Sequence, residues 1–310
     1  MRRALALDIG ATKLGVAVIG SDGEARGWRT VPTLRDEGPI RVVARLFDLA
    51  DAVVEEQGPV DVVGVSCGGP LDPRAGLLLG PLHLPGWDRV PITDLAAQRF
   101  GRSAHLLNDA SAGAWAEHRF GAARGSGSSV YLTLSSGMGG GAVVDGRLLT
   151  GASGNGGELG HVTVRHGGRR CLCGRSGCAE AYVAGTRQAA RVREALAAGR
   201  TSALTADATA EDVARLAPVD DLAREVWDDA VDALRSAVVS LVNVLEPETV
   251  VLGGGLTRAG DRLLDPVRHA VAQQAMAPIA RIVRVVPAAL GPAVCAVGAG
   301  AWALQQEETA

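Results

Sequence analysis

The chain lacks the sequence features of several large protein classes. Its 310 residues carry 31 Lys and Arg against 34 Asp and Glu, so its formal net charge is −3, whereas surfaces that bind nucleic acid or anionic membranes need clustered basic charge. Its five cysteines are too few for a disulfide-framed secreted fold. The apolar run near the N-terminus stops at Asp8, too early for a signal peptide or a membrane span. We therefore expect a cytoplasmic enzyme that binds neither nucleic acid nor membranes.

Lysine is nearly absent, since Lys13 is the only one and the other basic residues are arginines. It ends the glycine turn Asp8–Lys13, which separates two apolar strand patterns. The backbone N–H groups of such a turn form a concave site for phosphate oxygens. Asp8 could hold Mg²⁺ through water, and Lys13 could add a point charge for phosphate. The alternative is an ordinary hairpin with a solvated lysine.

Glycine is abundant, with 41 residues that cluster where predicted strands end. Strand and helix patterns alternate along the chain, which predicts a parallel-rich α/β sheet. The opening hairpin pattern returns over 130–144, where Gly137 stands 137 − 10 = 127 residues after Gly10. The length and 47% hydrophobic composition favour two domains. Two lobes with the same opening hairpin are the natural interpretation, and two unrelated glycine turns are the alternative.

Three cysteines are crowded into Cys171–Cys178, and His161 precedes them. Three thiolates and one imidazole form a complete four-coordinate set for structural zinc. The alternative is a disulfide or inert thiols, but a bridge between residues i and i+2 is strained and the cytoplasm is reducing. Cys67 and Cys295 lie apart from this set and are expected to be small buried hydrophobes.

Three carboxylates have two possible roles each. Asp109 follows a predicted buried strand and opens a helix, which fits either a helix N-cap or a general base. Glu158 and Glu180 flank the cysteine segment, where they are either solvated surface groups or part of a site.

Taken together, the motifs resemble those of the ROK family of sugar kinases, and most closely those of its bacterial glucokinases. The matching segments are 8–13, Asn108-Asp109, Ser136–Gly141, Gly157–His161, Cys171–Glu180 and Gly253–Gly255. The block that combines glutamates, histidine and cysteines is highly specific, whereas a lone glycine turn is not.

The resemblance implies an α/β, two-lobed actin-like ATPase fold of the ribonuclease H-like kind, with a mixed sheet flanked by helices in each lobe. The smaller lobe would contain 1–118 and 296–310, and the larger lobe 119–295. The implied reaction is ATP-dependent phosphorylation of the 6-hydroxyl of glucose. The implied cofactors are ATP, Mg²⁺ and structural Zn²⁺, and the family commonly forms homodimers or homotetramers.

The resemblance also assigns roles to single residues, with Asp109 as the catalytic base. The sugar would be held by Gly69, Asn108, Asp109, Glu158, His161 and Glu180. ATP and its magnesium would be held by Asp8, Gly10, Thr12, Lys13, Ser136, Gly137, Gly254 and Gly255. Zinc would be held by His161, Cys171, Cys173 and Cys178, so His161 would serve both the metal and the sugar.

Three positions depart from the family pattern. Ala11 replaces a second glycine in the first turn, Met138 replaces a hydroxyl residue in the second, and His83 stands where many relatives have Asn. These changes bear on ATP affinity and rate more than on fold.

Other functions remain open from the sequence. An N-acetylglucosamine, N-acetylmannosamine, fructose or allose kinase would need only modest loop changes. The family also contains sugar-responsive repressors, but these carry a helix-turn-helix ahead of the aspartate turn, and here that turn begins at Asp8. A catalytically idle sugar-binding relative is a further alternative, because fold alone does not establish function.

Overall fold

A computed structural model describes residues 2–309 and divides into two compact units. The first unit contains the chain up to Gly125, the segment Gly141–Gly157 and the chain from Ala289. The second contains Ser126–Gly140 and Glu158–Ala288. The predicted lobes, 1–118 with 296–310 and 119–295, are drawn at other residues and stay a prediction.

The secondary structure alternates between strands and helices, as the sequence predicts. Up to residue 120 the elements are β1 (Arg3–Ile9), β2 (Lys13–Gly20), β3 (Ala25–Pro32), α1 (Gly38–Gln57), β4 (Val62–Cys67), β5 (Leu71–Asp72), β6 (Leu77–Leu78), β7 (Val90–Pro91), α2 (Ile92–Phe100), β8 (Ala104–Asn108) and α3 (Asp109–Phe120). After it they are β9 (Ser129–Leu134), β10 (Met138–Val144), β11 (Arg147–Leu148), α4 (Glu180–Val183), α5 (Gly185–Ala197), α6 (Ala210–Leu216), α7 (Asp221–Leu245), β12 (Thr249–Gly253), α8 (Asp261–Gln274), α9 (Ala277–Ala280), β13 (Arg284–Pro287) and α10 (Val294–Thr309). In the part of the chain described, no helix combines the length and the apolar character needed to cross a membrane.

The first sheet has the strand order β3-β2-β1-β4-β8. β1 is antiparallel to β2 but parallel to β4, and β4 is parallel to β8. The carboxyl ends of parallel strands meet at one edge of a sheet, and the register pairs Ile9 with Cys67 and Cys67 with Asn108. The first glycine turn and Asn108-Asp109 therefore leave the sheet at the same edge.

The second sheet has the strand order β11-β10-β9-β12-β13, which repeats the order of the first sheet when the strands of each are counted along the chain. β12 is parallel to both β9 and β13. The repeated order agrees with the return of the opening hairpin pattern in the sequence, and each sheet is mixed and accompanied by helices, as predicted.

Alternation along β1 separates the two faces of the first sheet. Leu5, Leu7 and Ile9 belong to the core that α1 helps to form, whereas Ala6 packs with residues of α10 such as Val297. Large side chains thus fill the α1 side, and small ones let α10 approach the other side closely.

Three glycines show how close α10 comes. A Cβ on Gly64 of β4 would lie 2.2 Å from the Ala299 carbonyl oxygen, and one on Gly298 would lie 1.8 Å from the carbonyl oxygen of Ala112 in α3. A Cβ on Gly300 would lie 2.7 Å from Ile19. At Gly64 and Gly298 backbone meets backbone, and at Gly300 the backbone meets the Ile19 side chain, so no larger residue fits without a shift of the helix or of its neighbours.

The polar, Pro- and Gly-rich composition of Leu71–Pro91 predicts a long loop, but this prediction is wrong, because the segment forms a three-stranded sheet in the order β5-β6-β7. Leu71, Leu78 and Val90 are buried, and their burial stabilises short strands that the Pro- and Gly-rich composition conceals. Helix α6 is absent from the sequence-based prediction, although Thr209 and Asp212 of its capping box are a helix-start signal.

Glu117 is a fully buried carboxylate in α3 whose role the sequence did not indicate. Its Oε1 accepts hydrogen bonds from the Ala289 and Leu290 N–H groups, both at 2.9 Å, and its Oε2 accepts from the Ala122 N–H at 2.7 Å. It therefore joins the end of α3 to the segment that leads into α10.

We expect Glu117→Ala to lower the free energy of unfolding by about 3 kcal/mol or more, because three N–H groups lose a fully buried carboxylate acceptor. Glu117→Gln keeps one carbonyl oxygen and is expected to cost less. Guanidinium unfolding measures both, with Glu55→Ala on the exposed face of α1 as control. A loss for Glu117→Ala no larger than that of the control would contradict this role.

Candidate active site

The first glycine turn joins β1 to β2 and is held in place by Thr33. Gly10 N–H donates to the Lys13 carbonyl oxygen at 3.1 Å, and a Cβ on Gly10 would lie only 2.9 Å from that oxygen. The Thr33 hydroxyl donates to the Gly10 carbonyl at 2.7 Å, and the Thr33 N–H donates to the Thr12 carbonyl at 3.1 Å. Thr12 and Lys13 are exposed beside this fixed backbone, as an anion site requires.

Asp8 lies at the end of β1 and is 8% exposed. The Ser66 hydroxyl donates to its Oδ1 at 2.8 Å. Burial raises the pKa of Asp8 to about 6, and the nearby Asp109 adds to the rise, while Ser66 and Lys13 oppose it. A carboxylate in this position favours a neighbouring cation, which would restore its ionised form.

Asn108, and not Asp109, is the N-cap of α3. The Asn108 Oδ1 accepts hydrogen bonds from the Ala110 and Ser111 N–H groups at 3.0 and 3.1 Å. The interpretation of Asp109 as the helix N-cap is therefore wrong, and the amide nitrogen is the part of Asn108 that remains for a ligand.

Asp109 is the first residue of α3, and its Oδ1 accepts from the Ala110 N–H at 2.7 Å. Burial raises its pKa, and the Ala110 N–H and the positive field of His83 act in the opposite direction. Gly69, in the turn after β4, accepts from the Leu82 N–H at 3.3 Å, next to His83. The first unit thus brings the predicted residues Asp8, Gly10, Thr12, Lys13, Asn108 and Asp109 to one sheet edge.

In the second unit, the donor atoms of His161, Cys171, Cys173 and Cys178 all lie within 4.8 Å of one another. His161 Nδ1 is 3.6 Å from Cys171 Sγ, and the Sγ atoms of Cys173 and Cys178 are 3.7 Å apart. A tetrahedron with Zn–S of about 2.3 Å and Zn–N of about 2.1 Å has edges of about 3.8 Å between sulfurs and about 3.6 Å between nitrogen and sulfur. The donor set therefore fits zinc, and the sulfurs are too far apart for a disulfide.

Glycines permit the tight turn that gathers the sulfurs. Gly174 and Gly177 have φ of +87° and +85°, a region that favours glycine. A Cβ on Gly177 would lie 1.8 Å from the Arg165 carbonyl oxygen. The Cys171 N–H donates to the Arg175 carbonyl at 2.8 Å and closes the turn between the first and last cysteines.

His161 lies between two carboxylates. Its Nδ1 is 3.6 Å from Glu180 Oε2 and faces the cysteines, while its Nε2 is 3.8 Å from Glu158 Oε2. The Glu180 side chain is only 8% exposed, so the interpretation as a solvated surface group is wrong for it. Glu158 is partly exposed, and its side chain remains accessible to a ligand. One imidazole can thus serve the metal through one nitrogen and a ligand through the other.

The second glycine turn borders a cavity of about 780 Å³ within the second unit. The Ser136 carbonyl accepts from the Thr186 hydroxyl at 2.7 Å, and the Gly185 N–H donates to the Ser135 carbonyl at 2.8 Å. Gly254 has φ of +87°, and a Cβ there would lie 2.4 Å from the Leu134 carbonyl oxygen. The volume is typical of a site for a small ligand.

Among the predicted residues, Ser136 and Gly255 line this cavity, while Gly137 and Gly254 are their chain neighbours. The rest of the lining is not among the predicted residues, and it includes Thr186 and the Glu211–Arg258 ion pair at 2.9 Å. No motif marks these residues, and only the capping box of α6 signalled the helix that carries Glu211.

Comparison with known protein families gives a match to the ROK family over residues 4–306. The chain belongs to the ROK family. The resemblance in the sequence motifs is thereby confirmed for nearly the whole chain.

Several ROK relatives are similar over most of their length. A glucokinase of Thermotoga maritima is 36% identical over 88% of this chain and 88% of its own. An N-acetylmannosamine kinase of Shigella boydii is 33% identical over 81% of this chain and 82% of its own. The crystal structure of a ROK family glucokinase from Streptomyces griseus in complex with glucose and AMPPNP has a TM-score of 0.83 at 27% identity, covering 98% of this chain and 99% of that one. The predicted fold class, an actin-like ATPase fold, is confirmed.

Proposed function

We propose that this chain is an ATP-dependent sugar kinase that phosphorylates the 6-hydroxyl of glucose. Its similarity to glucokinases over most of both chains supports the reaction and the substrate. Within the molecule, the observation that carries the proposal is the Asp109 carboxylate, which has a raised pKa and is not needed to cap its helix.

Asp109 is the proposed general base. A sugar hydroxyl is a poor nucleophile, and phosphoryl transfer leaves the protein mainly the tasks of aligning this oxygen and accepting its proton. A carboxylate at a strand-to-helix junction is held by rigid elements, which suits that alignment. Its pKa is raised toward neutral pH, and a general base is most effective when its pKa lies near the pH of the reaction.

Asp109→Asn is expected to lower kcat by roughly 10²–10⁴ while glucose still binds, because the amide keeps the shape but lacks the basic lone pair. ADP release and glucose calorimetry measure the two effects. Asp94→Asn is the matched control, because Asp94 is an exposed acid in the first turn of α2. Near-native kcat in Asp109→Asn, at native stability, would make Asp109 structural.

The phosphates are the proposed ligands of the two glycine turns, through Gly10, Thr12 and Lys13 in the first and Ser136 and Gly137 in the second. Asp8 would hold Mg²⁺ through water, and Gly254 and Gly255 would face the nucleoside. The fixed backbone around Gly10 and the exposure of Lys13 support this arrangement.

Lys13→Ala is expected to raise KM for ATP about tenfold or more while KM for glucose stays nearly constant, because only the phosphates lose a charged partner. Lys13→Arg should not restore the wild-type value, since a planar guanidinium is not equivalent to an ammonium. Arg26→Ala, at an exposed position of β3, is the control.

The absence of other lysines allows a second measurement, because amine acylation then reports Lys13 and the chain terminus alone. MgATP is expected to slow acylation of Lys13 but not of the terminus. Equal acylation with and without MgATP, together with unchanged ATP kinetics in Lys13→Ala, would remove Lys13 from the site.

Structural zinc is the proposed occupant of the His161, Cys171, Cys173 and Cys178 set. When bound, the ion would supply a fixed geometry and no chemistry, and His161 Nε2 would remain for the sugar. The tetrahedral spacing of the donor atoms supports this proposal.

Metal analysis of the untreated protein is expected to give about one equivalent of zinc, and Cys173→Ser should lose it together with stability and activity. Cys295→Ala should keep the zinc, because Cys295 lies outside the set. Less than about half an equivalent in fully active protein would contradict a structural zinc.

Glucose is the proposed sugar, held by Gly69, Asn108, Glu158, His161 and Glu180 together with Asp109. An N-acetylhexosamine is the main alternative, which the similarity to N-acetylmannosamine kinases supports. We also infer a homodimer or homotetramer in the cytoplasm, with no nucleic-acid or membrane partner.

ADP release across hexoses and N-acetylhexosamines tests the substrate, and we expect the highest kcat/KM with glucose. A higher value with N-acetylmannosamine would replace glucose by that sugar. No sugar-dependent ADP release at all would remove the kinase proposal itself.

A further inference from the structure

An ion-pair cluster within the second unit links the cysteine segment to two long helices. Asp229 of α7 pairs through Oδ1 with Arg165 and through Oδ2, at 2.7 Å, with Arg191 of α5. The Arg191 side chain is 7% exposed and that of Asp229 is 19% exposed. The short contact with the buried Arg191 fixes the Asp229 carboxylate, which in turn holds the guanidinium group of Arg165, whose side chain is 41% exposed.

Arg165 also contacts the aromatic ring of Tyr182. Its guanidinium carbon lies 4.8 Å from the centre of the Tyr182 ring, within the range of a cation–π interaction. The Tyr182 hydroxyl accepts from the Arg169 N–H at 2.8 Å, and a Cβ on Gly168 would lie 2.1 Å from that oxygen. Tyr182 belongs to α4, which begins with Glu180. Arg165 holds its ring and the Arg169 N–H holds its hydroxyl, so the Tyr182 side chain is fixed two residues along the chain from Glu180.

The backbone of Arg165 also contacts the cysteine turn. Its N–H donates to the Gly177 carbonyl at 3.2 Å, and its own carbonyl oxygen is the atom that excludes a Cβ at Gly177. Gly177 directly precedes Cys178. One residue therefore contacts both the turn that carries the cysteines and the helix that carries Glu180.

We propose that Arg165 and Asp229 are positioning residues for the sugar-binding groups His161 and Glu180, an inference that rests on the proposed function. Neither residue has a direct role in the reaction. They fix the relative placement of a histidine and a carboxylate that come from separate parts of the chain.

The expected signature is a change in sugar affinity at nearly constant turnover. His161 and Glu180 would hold the sugar without contacting the transferred phosphoryl group, so a shift in their placement removes binding that ground state and transition state share. Asp229→Asn is expected to raise KM for glucose about tenfold or more, with kcat changed less than about threefold and KM for ATP changed less than KM for glucose.

Arg165→Lys is the second variant, because it keeps the charge opposite Asp229 but loses the planar face over Tyr182. It is expected to raise KM for glucose less than Asp229→Asn does. Asp232→Asn is the matched control, since it makes the same change in α7 but breaks the ion pair of the exposed Asp232 with Arg235, at 2.9 Å. The control should keep the wild-type KM.

Hydrogen exchange supplies a readout that does not depend on activity. Both variants should lose protection over 158–185 while β9 in the same unit keeps it, and the control should lose neither. Lost protection in β9 as well would mean that Asp229→Asn unfolds the unit, and Arg165→Lys then decides the question.

Unchanged glucose KM and unchanged exchange in both variants would overturn the positioning roles. A wild-type protein without sugar-dependent ADP release would instead overturn the proposed function. In that case, hydrogen exchange alone tests the positioning roles. Protection over 158–185 that is lost in both variants supports them, and protection that is retained overturns them.

Discussion

The close approach of α10 to β4 and α3 is the constraint on which the first unit depends. Gly64 and Gly298 have no side chain at the two closest points, so the carbonyl groups of Ala299 and Ala112 take the space there. At the other end of α3, Glu117 joins the helix to the segment before α10. α3 is thereby fixed at both ends of its length, and the strand-to-helix junction with Asp109 is fixed with it.

Asn108 and Asp109 have different roles at this junction, and the division leaves a carboxylate available for chemistry. Asn108 satisfies the N–H groups of the first turn of α3, and the Asp109 carboxylate keeps an oxygen that no cap requires. The like charge of Asp109 raises the pKa of Asp8, beyond the effect of burial. The strands and helices hold these two carboxylates near each other despite their like charges. Groups with pKa values shifted in this way are common at active sites.

Much of the site was predictable because its chemistry depends on residue types at short spacing. The cysteine segment needs only three thiols on one glycine-rich turn, and the aspartate turn needs only a glycine between two strands. The assignment of Asp109 as the base stays a prediction, and the structure removes only its alternative role, since Asn108 and not Asp109 caps the helix. The cavity beside Ser136 was largely missed, because Thr186, Glu211 and Arg258 come from separate elements and share no motif.

The sequence by itself determined the alternation of strands and helices, the two opening hairpins and the family, because periodicity and short motifs are local properties. Only the tertiary structure decided which buried charges meet. Glu117 finds its N–H partners at Ala289 and Leu290, and Asp229 finds Arg165 and Arg191, across distances along the chain that no pattern encodes. A buried charge must be paired, but the partner is whichever group the packing of helices and strands brings within reach.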